Sequence, residues 1–388
     1  MTWRDFDYVL LLLTLLLMGL GVVMISSATQ GSLALQGLAR RQAIYAAAGL
    51  LLMMALGALD YRALSHLRGL IYGLVIFMLL LLFVVGHIHD ARRWIDLGAF
   101  TFQPSELSKV LIILVLASYL AHWEGSLHKL RYILLSLIYV IPPIILIYLQ
   151  PDLGTALVVG VIWLAMVFVS GMRVLHLLLM GLMGIGAVPF IWWKLEGYMR
   201  ARLLLFLKPG FDPAKRYNMD QALISIGSGG WLGKGLTGGS QSQLHFLRIR
   251  HTDFIFSVIG EELGFVGTIL VIILLVLLIL RLLRIAERAR DTFGRLIALG
   301  TATMIAFQSL VNIGMNVGLL PVVGIPLPFI SYGGSSLLSI LIAEGLAQSV
   351  ALRHRKIDFE LQVPTAQLAP HEHEKGATLS SVDSVTKS

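Results

Sequence analysis

The sequence predicts an all-α polytopic integral membrane protein of about ten transmembrane helices with one large extracytoplasmic loop, and three observations carry that prediction. Apolar stretches long enough for ~30 Å of hydrocarbon recur ten times along the 388 residues. Only 13% of residues are charged, against about 25% in soluble globular chains, so polar side chains are too few to cover a water-facing surface. The basic residues collect in alternate hydrophilic breaks, the pattern that the positive-inside bias gives a multi-span chain.

The stretches fall at roughly 8–28, 42–59, 69–86, 105–121, 132–149, 153–170, 174–193, 254–280, 296–320 and 329–352. The first follows Arg4. Its Ser26-Ser27-Ala28 faintly resembles a signal-peptidase site, but 21 uncharged residues are long for a signal core and more spans follow, so it reads as a retained anchor. A cytoplasmic N-terminus places 14 Lys/Arg beside the spans on the inside, among them Arg62, Arg68, Lys129, Arg131, Arg281, Arg288 and Arg353. Only four, Arg40, Arg41, Arg92 and Arg93, then fall in short outer loops, and both termini are cytoplasmic.

The segment 194–253 is the one outer region large enough to build a site. It holds Pro209, Pro213, a glycine cluster from Gly227 to Gly239 and short amphipathic pieces such as Tyr198–Leu207. A structureless loop of that length is uncommon unless functional, so re-entrant or interfacial half-helices are expected here. Residues 1–356 then form a single ten-span membrane domain. Residues 357–388 are polar and without periodicity, the composition of a disordered cytoplasmic tail.

The formal charge of +8 does not point to nucleic acid, because the cations sit between apolar runs rather than on one patch. There are no cysteines, which excludes disulfides, thiolate metal sites and cysteine nucleophiles. His87-Ile88-His89-Asp90 and His371-Glu372-His373 lack a third ligand at helical spacing and read as solvated histidines.

Four helix starts on the outer side share one chemistry. Gln103-Pro104-Ser105-Glu106 opens the fourth span and Gln150-Pro151-Asp152-Leu153-Gly154 the sixth. His251-Thr252-Asp253 opens the eighth, and Ser331-Tyr332-Gly333-Gly334-Ser335-Ser336 the tenth. Proline suits a first helical turn and Ser, Thr or Asp a cap, so each start alone is good capping. Together, four positive dipole ends can gather an anionic, diphosphate-linked lipid.

Glu106 and Lys109 share a face of the fourth span, either neutralising each other or with Lys109 also reaching a substrate phosphate. Asp253, after Arg248, Arg250 and His251, stands where the long loop re-enters the membrane; it is either a helix cap or a general base. Arg93 and Trp94 form either a membrane-belt pair or a sugar and lipid platform. Of Glu261 and Glu262, at least one should point inward, and Glu344 is similar. In spans eight and nine, Gly260, Gly264, Gly267, Gly300, Gly314 and Gly318 are small residues that allow a partner helix to dock closely.

These motifs, in this order over residues 5–355, resemble the SEDS family of bacterial cell-wall polymerases, which includes RodA, FtsW and SpoVE. The specific elements include Arg93-Trp94-Ile95, Gln103-Pro104-Ser105-Glu106-Leu107-Ser108-Lys109, Gly227-Ser228-Gly229-Gly230, His251-Thr252-Asp253-Phe254-Ile255-Phe256 and Pro328-Phe329-Ile330-Ser331-Tyr332-Gly333-Gly334. Gln150-Pro151-Asp152-Leu153 and Gly239-Ser240-Gln241-Ser242-Gln243-Leu244 lean towards the RodA type; the division-type, FtsW-like member is the alternative. Thr101 stands where some relatives carry Arg, so no role of that Arg transfers.

The resemblance implies a peptidoglycan glycosyltransferase in the bacterial cytoplasmic membrane that polymerises lipid II at the outer face for cell-wall elongation and shape. A strand on undecaprenyl diphosphate is the implied donor. Asp253 matches the family's essential aspartate and takes the role of base. Lys109, Glu106, Trp94, Arg93, Arg248, His251, Ser331 and Tyr332 are the candidate substrate contacts, with a divalent cation, Mg or Mn, as candidate helper at the diphosphate. A class B penicillin-binding protein is the implied partner. Two readings of other classes stand beside this one: a lipid II flippase, and a scaffold for that partner.

Overall fold

Each apolar run folds as one helix, except that the eighth is broken at Gly264. The computed structural model describes residues 6–30, 32, 35–85, 93–96, 98, 101–194, 197–208, 212–243, 246 and 249–353; the expected tail lies outside them. The apolar helices are α1 (Tyr8–Thr29), α2 (Leu38–Ala58), α3 (Arg68–Val85), α4 (Pro104–His122), α5 (Leu130–Leu149), α6 (Leu153–Val169) and α7 (Val174–Lys194). The long loop contributes α8 (Gly197–Leu207), α9 (Pro213–Ser228) and α10 (Ser240–Gln243), before α11 (Ile255–Arg288), α12 (Thr292–Asn316) and α13 (Gly334–Leu352). Eight of these are long and apolar enough to cross a membrane, and α6 and the apolar part of α7 are shorter.

Two boundaries move for local reasons. The ninth span starts at Thr292 rather than 296 because the Asp291 carboxylate accepts from the Gly294 N–H and caps it. The tenth starts at Gly334 rather than 329 because Ser331 is held in a turn, its hydroxyl accepting from the Leu327 N–H at 2.8 Å. A two-residue antiparallel pair, β1 (Ile95–Asp96) with β2 (Thr101–Phe102), precedes α4 and has no counterpart in the sequence reading.

The most enclosed spans are α4, α12 and α13. By contrast α5 exposes Leu134, Ile138, Ile141, Ile145 and Leu149, a stripe at helical spacing suited to lipid. α2 lies along α13, where a side chain at Gly345 would meet the Met53 carbonyl at 2.8 Å. Only a glycine permits that approach.

The 34-residue α11 breaks at Gly264, with φ 65° and ψ −162°. The break leaves main-chain groups without helical partners, and the glycine loop before α10 supplies them. Lys234 and Gly235 N–H donate to the Glu261 and Glu262 carbonyls, both at 3.0 Å, while Phe265 and Val266 N–H donate to Gly230 and Trp231 carbonyls at 2.9 and 3.1 Å. In hydrocarbon every such group must be satisfied by protein. The side chains of both glutamates, fully buried, complete the clasp: Lys234 Nζ reaches Glu261 Oε1 at 3.0 Å, and Ser27 Oγ donates to Glu262 Oε2 at 2.6 Å.

The glycines expected to receive a partner helix serve this chain instead. Gly260 faces Ile226 of α9, Gly300 faces Ile113 of α4, Gly314 faces Leu320, and Gly264 abuts Trp231. Close approach was legible in those positions, but the approaching element is internal.

Candidate active site

The four helix starts are joined by their own polar groups. Asp152 caps α6, its Oδ1 accepting from Thr155 N–H at 3.1 Å, and its Oδ2 accepts from Gln103 Nε2, also at 3.1 Å. Gln103 N–H, at the start of α4, donates to Ser335 Oγ of α13 at 2.9 Å. The segment before α13 then reaches α11: Ser331 Oγ donates to the Thr252 carbonyl at 2.7 Å, and Tyr332 N–H donates to the His251 carbonyl at 2.9 Å. The proton of the Ser331 hydroxyl is thereby committed to the fold, so Ser331 braces the site and does not present that proton to substrate.

Asp253 does not cap α11. The cap position is Phe254, and no side chain of its own covers the first turn. The Asp253 carboxylate instead lines a cavity of about 560 Å³ with Arg202, Leu205 and Phe206 of α8, Arg216, Asn218 and Met219 of α9, and Val322. That size suits a bound organic group. The lining is half apolar and carries two arginines, a chemistry matched to a lipid tail bearing phosphate.

Burial pushes the Asp253 carboxyl above the usual carboxylate range, while Arg202 and Arg93 pull it back. These two cations are not the ones expected from the neighbouring sequence. Arg248 lies outside the described residues. Arg250 is buried and donates to the Ala28 carbonyl of α1. His251 is pushed below the usual imidazole range by burial and by Arg250, which favours its uncharged form. Arg93 is fixed by donation from Nε to the Gln150 carbonyl at 2.9 Å, and Arg202 by donation from Nη1 to the Val322 carbonyl at 3.3 Å. Arg202 escaped the sequence reading because nothing in an amphipathic stretch reveals which loop residue folds back onto Asp253.

Tyr332 is not among the residues that line this cavity. Its ring lies 6.0 Å from that of His251, and burial and Tyr45 raise its phenol while Arg41 of α2 lowers it. Trp94 is half-buried beside Arg93. Glu106 and Lys109 pair as expected, Nζ to Oε1 at 2.8 Å with side chains 4% and 1% exposed. Neither lines the cavity beside Asp253.

The interior around that pair is nonetheless polar. Glu106 Oε2 and both amide atoms of Gln308 have no hydrogen-bond partner among the described residues. Gly300 of α12 faces Ile113 of α4, and α12 ends where α4 begins. At 1.5 Å per residue, Glu106 and Gln308 therefore sit about 10 Å and about 12 Å along from that contact, at one level. Buried polar atoms left over in this way call for water or a polar guest.

A divalent cation bound by protein ligands does not fit the described residues. No three His, Asp or Glu side chains gather there, and the groups facing the Asp253 carboxylate are guanidinium cations.

A carboxylate facing arginines in a part-apolar cavity, beside helices long and apolar enough to cross a membrane, defines a polytopic membrane protein with an enclosed polar site. The particular family follows from comparison: the chain belongs to the cell cycle protein family of FtsW, RodA and SpoVE, whose model matches residues 8–356. It is 37% identical over 354 residues to peptidoglycan glycosyltransferase MrdB of Escherichia coli, covering 90% of this chain and 94% of that one. The crystal structure of the rod shape determining protein RodA of Thermus thermophilus superposes with a TM-score of 0.69 at 34% identity, covering 91% of this chain and 99% of that one. A chain from a study described as "Structural coordination of polymerization and crosslinking by a peptidoglycan synthase complex" superposes with a TM-score of 0.78 at 36% identity, covering 90% and 98%.

Proposed function

We propose that this chain polymerises lipid II into glycan strands for cell-wall elongation and cell shape, with Asp253 as the general base. The chain is a peptidoglycan glycosyltransferase, as its relatives are named. The observation that carries the mechanism is the placing of the Asp253 carboxylate at a cavity lined by Arg202 and faced by Arg93. Asp253 takes the proton from the acceptor's sugar hydroxyl, and the oxygen attacks the donor's anomeric carbon. The bond from that carbon to diphosphate breaks, and the diphosphate leaves with the electron pair. Arg202 and Arg93 offset its charge. Diphosphate is a good leaving group, so no second carboxylate of the hydrolase kind is needed. A flippase would not need a base at the cavity. The test is polymerisation of purified lipid II by the isolated protein; strands should form without any partner, and their complete absence overturns the reading.

The site opens outward and both termini are cytoplasmic in this reading, as the alternating basic loops support. The chain has no cysteine, so single cysteines report cleanly. A side chain at Gly238 would meet the Lys234 carbonyl at 2.3 Å, which makes exposed Lys208 the better outer probe. Lys208→Cys and Arg288→Cys should react with an impermeant reagent from opposite sides. Reaction of both from one side refutes the topology.

The partner reading is a class B penicillin-binding protein whose single span docks at spans eight and nine. With the glycines internal, the surface that fits is an apolar groove of about 330 Å³ lined by Val161, Ile279, Leu283, Ala306, Phe307 and Leu310. Photocrosslinkers at Ile279 and Leu310 should capture the partner's span. Crosslinks confined to α1–α3 count against this surface.

A further inference from the structure

We propose that Asn312 and Asn316 of α12 are positioning residues that fix the Asp253 carboxylate and the wall opposite it; the proposal rests on the reading of Asp253 as base. The two lie one helical turn apart on one face and are fully buried. Asn316 Nδ2 donates to the Asp253 carbonyl at 2.9 Å, and Asn312 Nδ2 donates to the same carbonyl at 3.1 Å. One peptide oxygen, that of the candidate base, therefore receives an amide from each.

Asn316 also supplies the cap that α11 lacks. Its Oδ1 accepts from Ser257 N–H at 3.2 Å and from Ser257 Oγ at 2.6 Å. The start of α11 and the carbonyl of Asp253 are thus held by the donor and the acceptor of one planar group. Few side chains carry both. Leucine fills the space but removes one of the two amide donors to the Asp253 carbonyl and leaves Ser257 N–H with only its bond to the Phe254 carbonyl, and aspartate cannot donate.

Asn312 reaches across to the other wall, donating from Nδ2 to the Ile325 carbonyl at 2.8 Å. Beside Ile325, Gly324 has φ +75°, and a Cβ there would stand 3.7 Å from Asp253 Oδ2 and 3.9 Å from Arg202 Nη1. Arg202 is itself tied to the Val322 carbonyl. Base, cation and wall therefore close into one circuit through the Asn312 amide. Buried asparagines satisfied within a core are common; what sets this pair apart is that both converge on the peptide of the base.

Among the described residues, the charged groups facing Asp253 are Arg202 from α8 and Arg93 from the turn before β1, with Arg250 and His251 on its own segment; Arg216 of α9 lines the same cavity and is paired with Asp220 at 2.8 Å. The last turns of α12 bring amides and no charge, and residues 318–333 bring no charge and one titratable group, Tyr332. A shift of the carboxylate against Arg202 and Arg93 is therefore what would move its titration.

The test is steady-state polymerisation of purified lipid II by Asn316→Leu and Asn312→Ala proteins, normalised to folded protein. Misplacing a reacting group by about 1 Å costs on the order of 10²-fold. The expected result is a kcat loss of that order in Asn316→Leu and a smaller loss in Asn312→Ala. KM for lipid II should stay near its original value, and the acid limb of the kcat profile should shift. Wild-type kcat per folded molecule with an unmoved limb overturns the proposal. If Asn316→Leu does not fold, Asn312→Ala, which keeps the Asn316 bonds to the Asp253 carbonyl and to Ser257, decides by the same readouts. Asp253→Asn is measured alongside: if it retains turnover, the base reading fails and takes this proposal with it. An inactive Asp253→Asn beside unimpaired asparagine variants sinks the positioning role alone.

Discussion

Purified Asp253→Asn protein is expected to fold, to bind lipid II and to lose turnover by on the order of 10²–10⁴-fold. The substitution keeps the shape and the main-chain carbonyl that Asn312 and Asn316 hold, and removes only the basic oxygen. A capping role no longer competes, since Phe254 occupies the cap position.

Stability gives an independent reading of the same residue. Burial raises the folded pKa of Asp253 above its unfolded value, so between the two values the folded state holds more protons and loses stability as pH rises. Above both values the full cost is present. A neutral asparagine avoids it, and Asp253→Asn should melt no lower than the parent at pH 7 and lose any advantage in acid. The same raised pKa places the acid limb of the wild-type kcat profile above the ordinary aspartate range. Glycan strands formed at an undiminished rate by folded Asp253→Asn protein would end the mechanism, and a collapse of both binding and melting temperature would make Asp253 structural.

The spans were legible because hydrocarbon thickness demands runs of about twenty apolar residues, and no other constraint writes so long a signal. The helix starts were legible for a local reason, Pro104 and Asp152 being residues that open helices. Their joining through Gln103, Ser335 and Ser331 was not, because it depends on which starts the fold brings together. Arg202 and the Asn312–Asn316 pair were missed for related reasons. One lies in a loop whose return path carries no periodicity, and the others sit inside a stretch read as uniformly apolar. The hairpin Ile95–Asp96 with Thr101–Phe102 is too short for an alternating pattern. Glycine spacing in spans eight and nine announced close packing, yet a glycine names no partner, and here the neighbours are Ile113, Ile226 and Trp231 of the same chain.

Lys109→Met should destabilise the protein and abolish most of its activity, and a second substitution separates the two effects. The Lys109 and Glu106 side chains are 1% and 4% exposed and 2.8 Å apart. Removing one partner leaves a buried charge uncompensated, at a cost of roughly 3–5 kcal/mol, so Tm should fall clearly. Adding Glu106→Gln removes the stranded charge, and the double variant should recover most of the lost Tm. Turnover should not recover. Glu106 Oε2 and the Gln308 amide have no hydrogen-bond partner among the described residues, at the same level of the bundle, and buried polar atoms left over in this way call for water or a polar guest. If Lys109 also serves as a cation that reaches a substrate phosphate, as a point charge, turnover stays low when Tm recovers. The measurement is Tm and lipid II turnover for both variants in the same preparation. Recovery of turnover together with Tm makes the pair purely structural, and a single Lys109→Met variant that melts and turns over like the parent removes both roles.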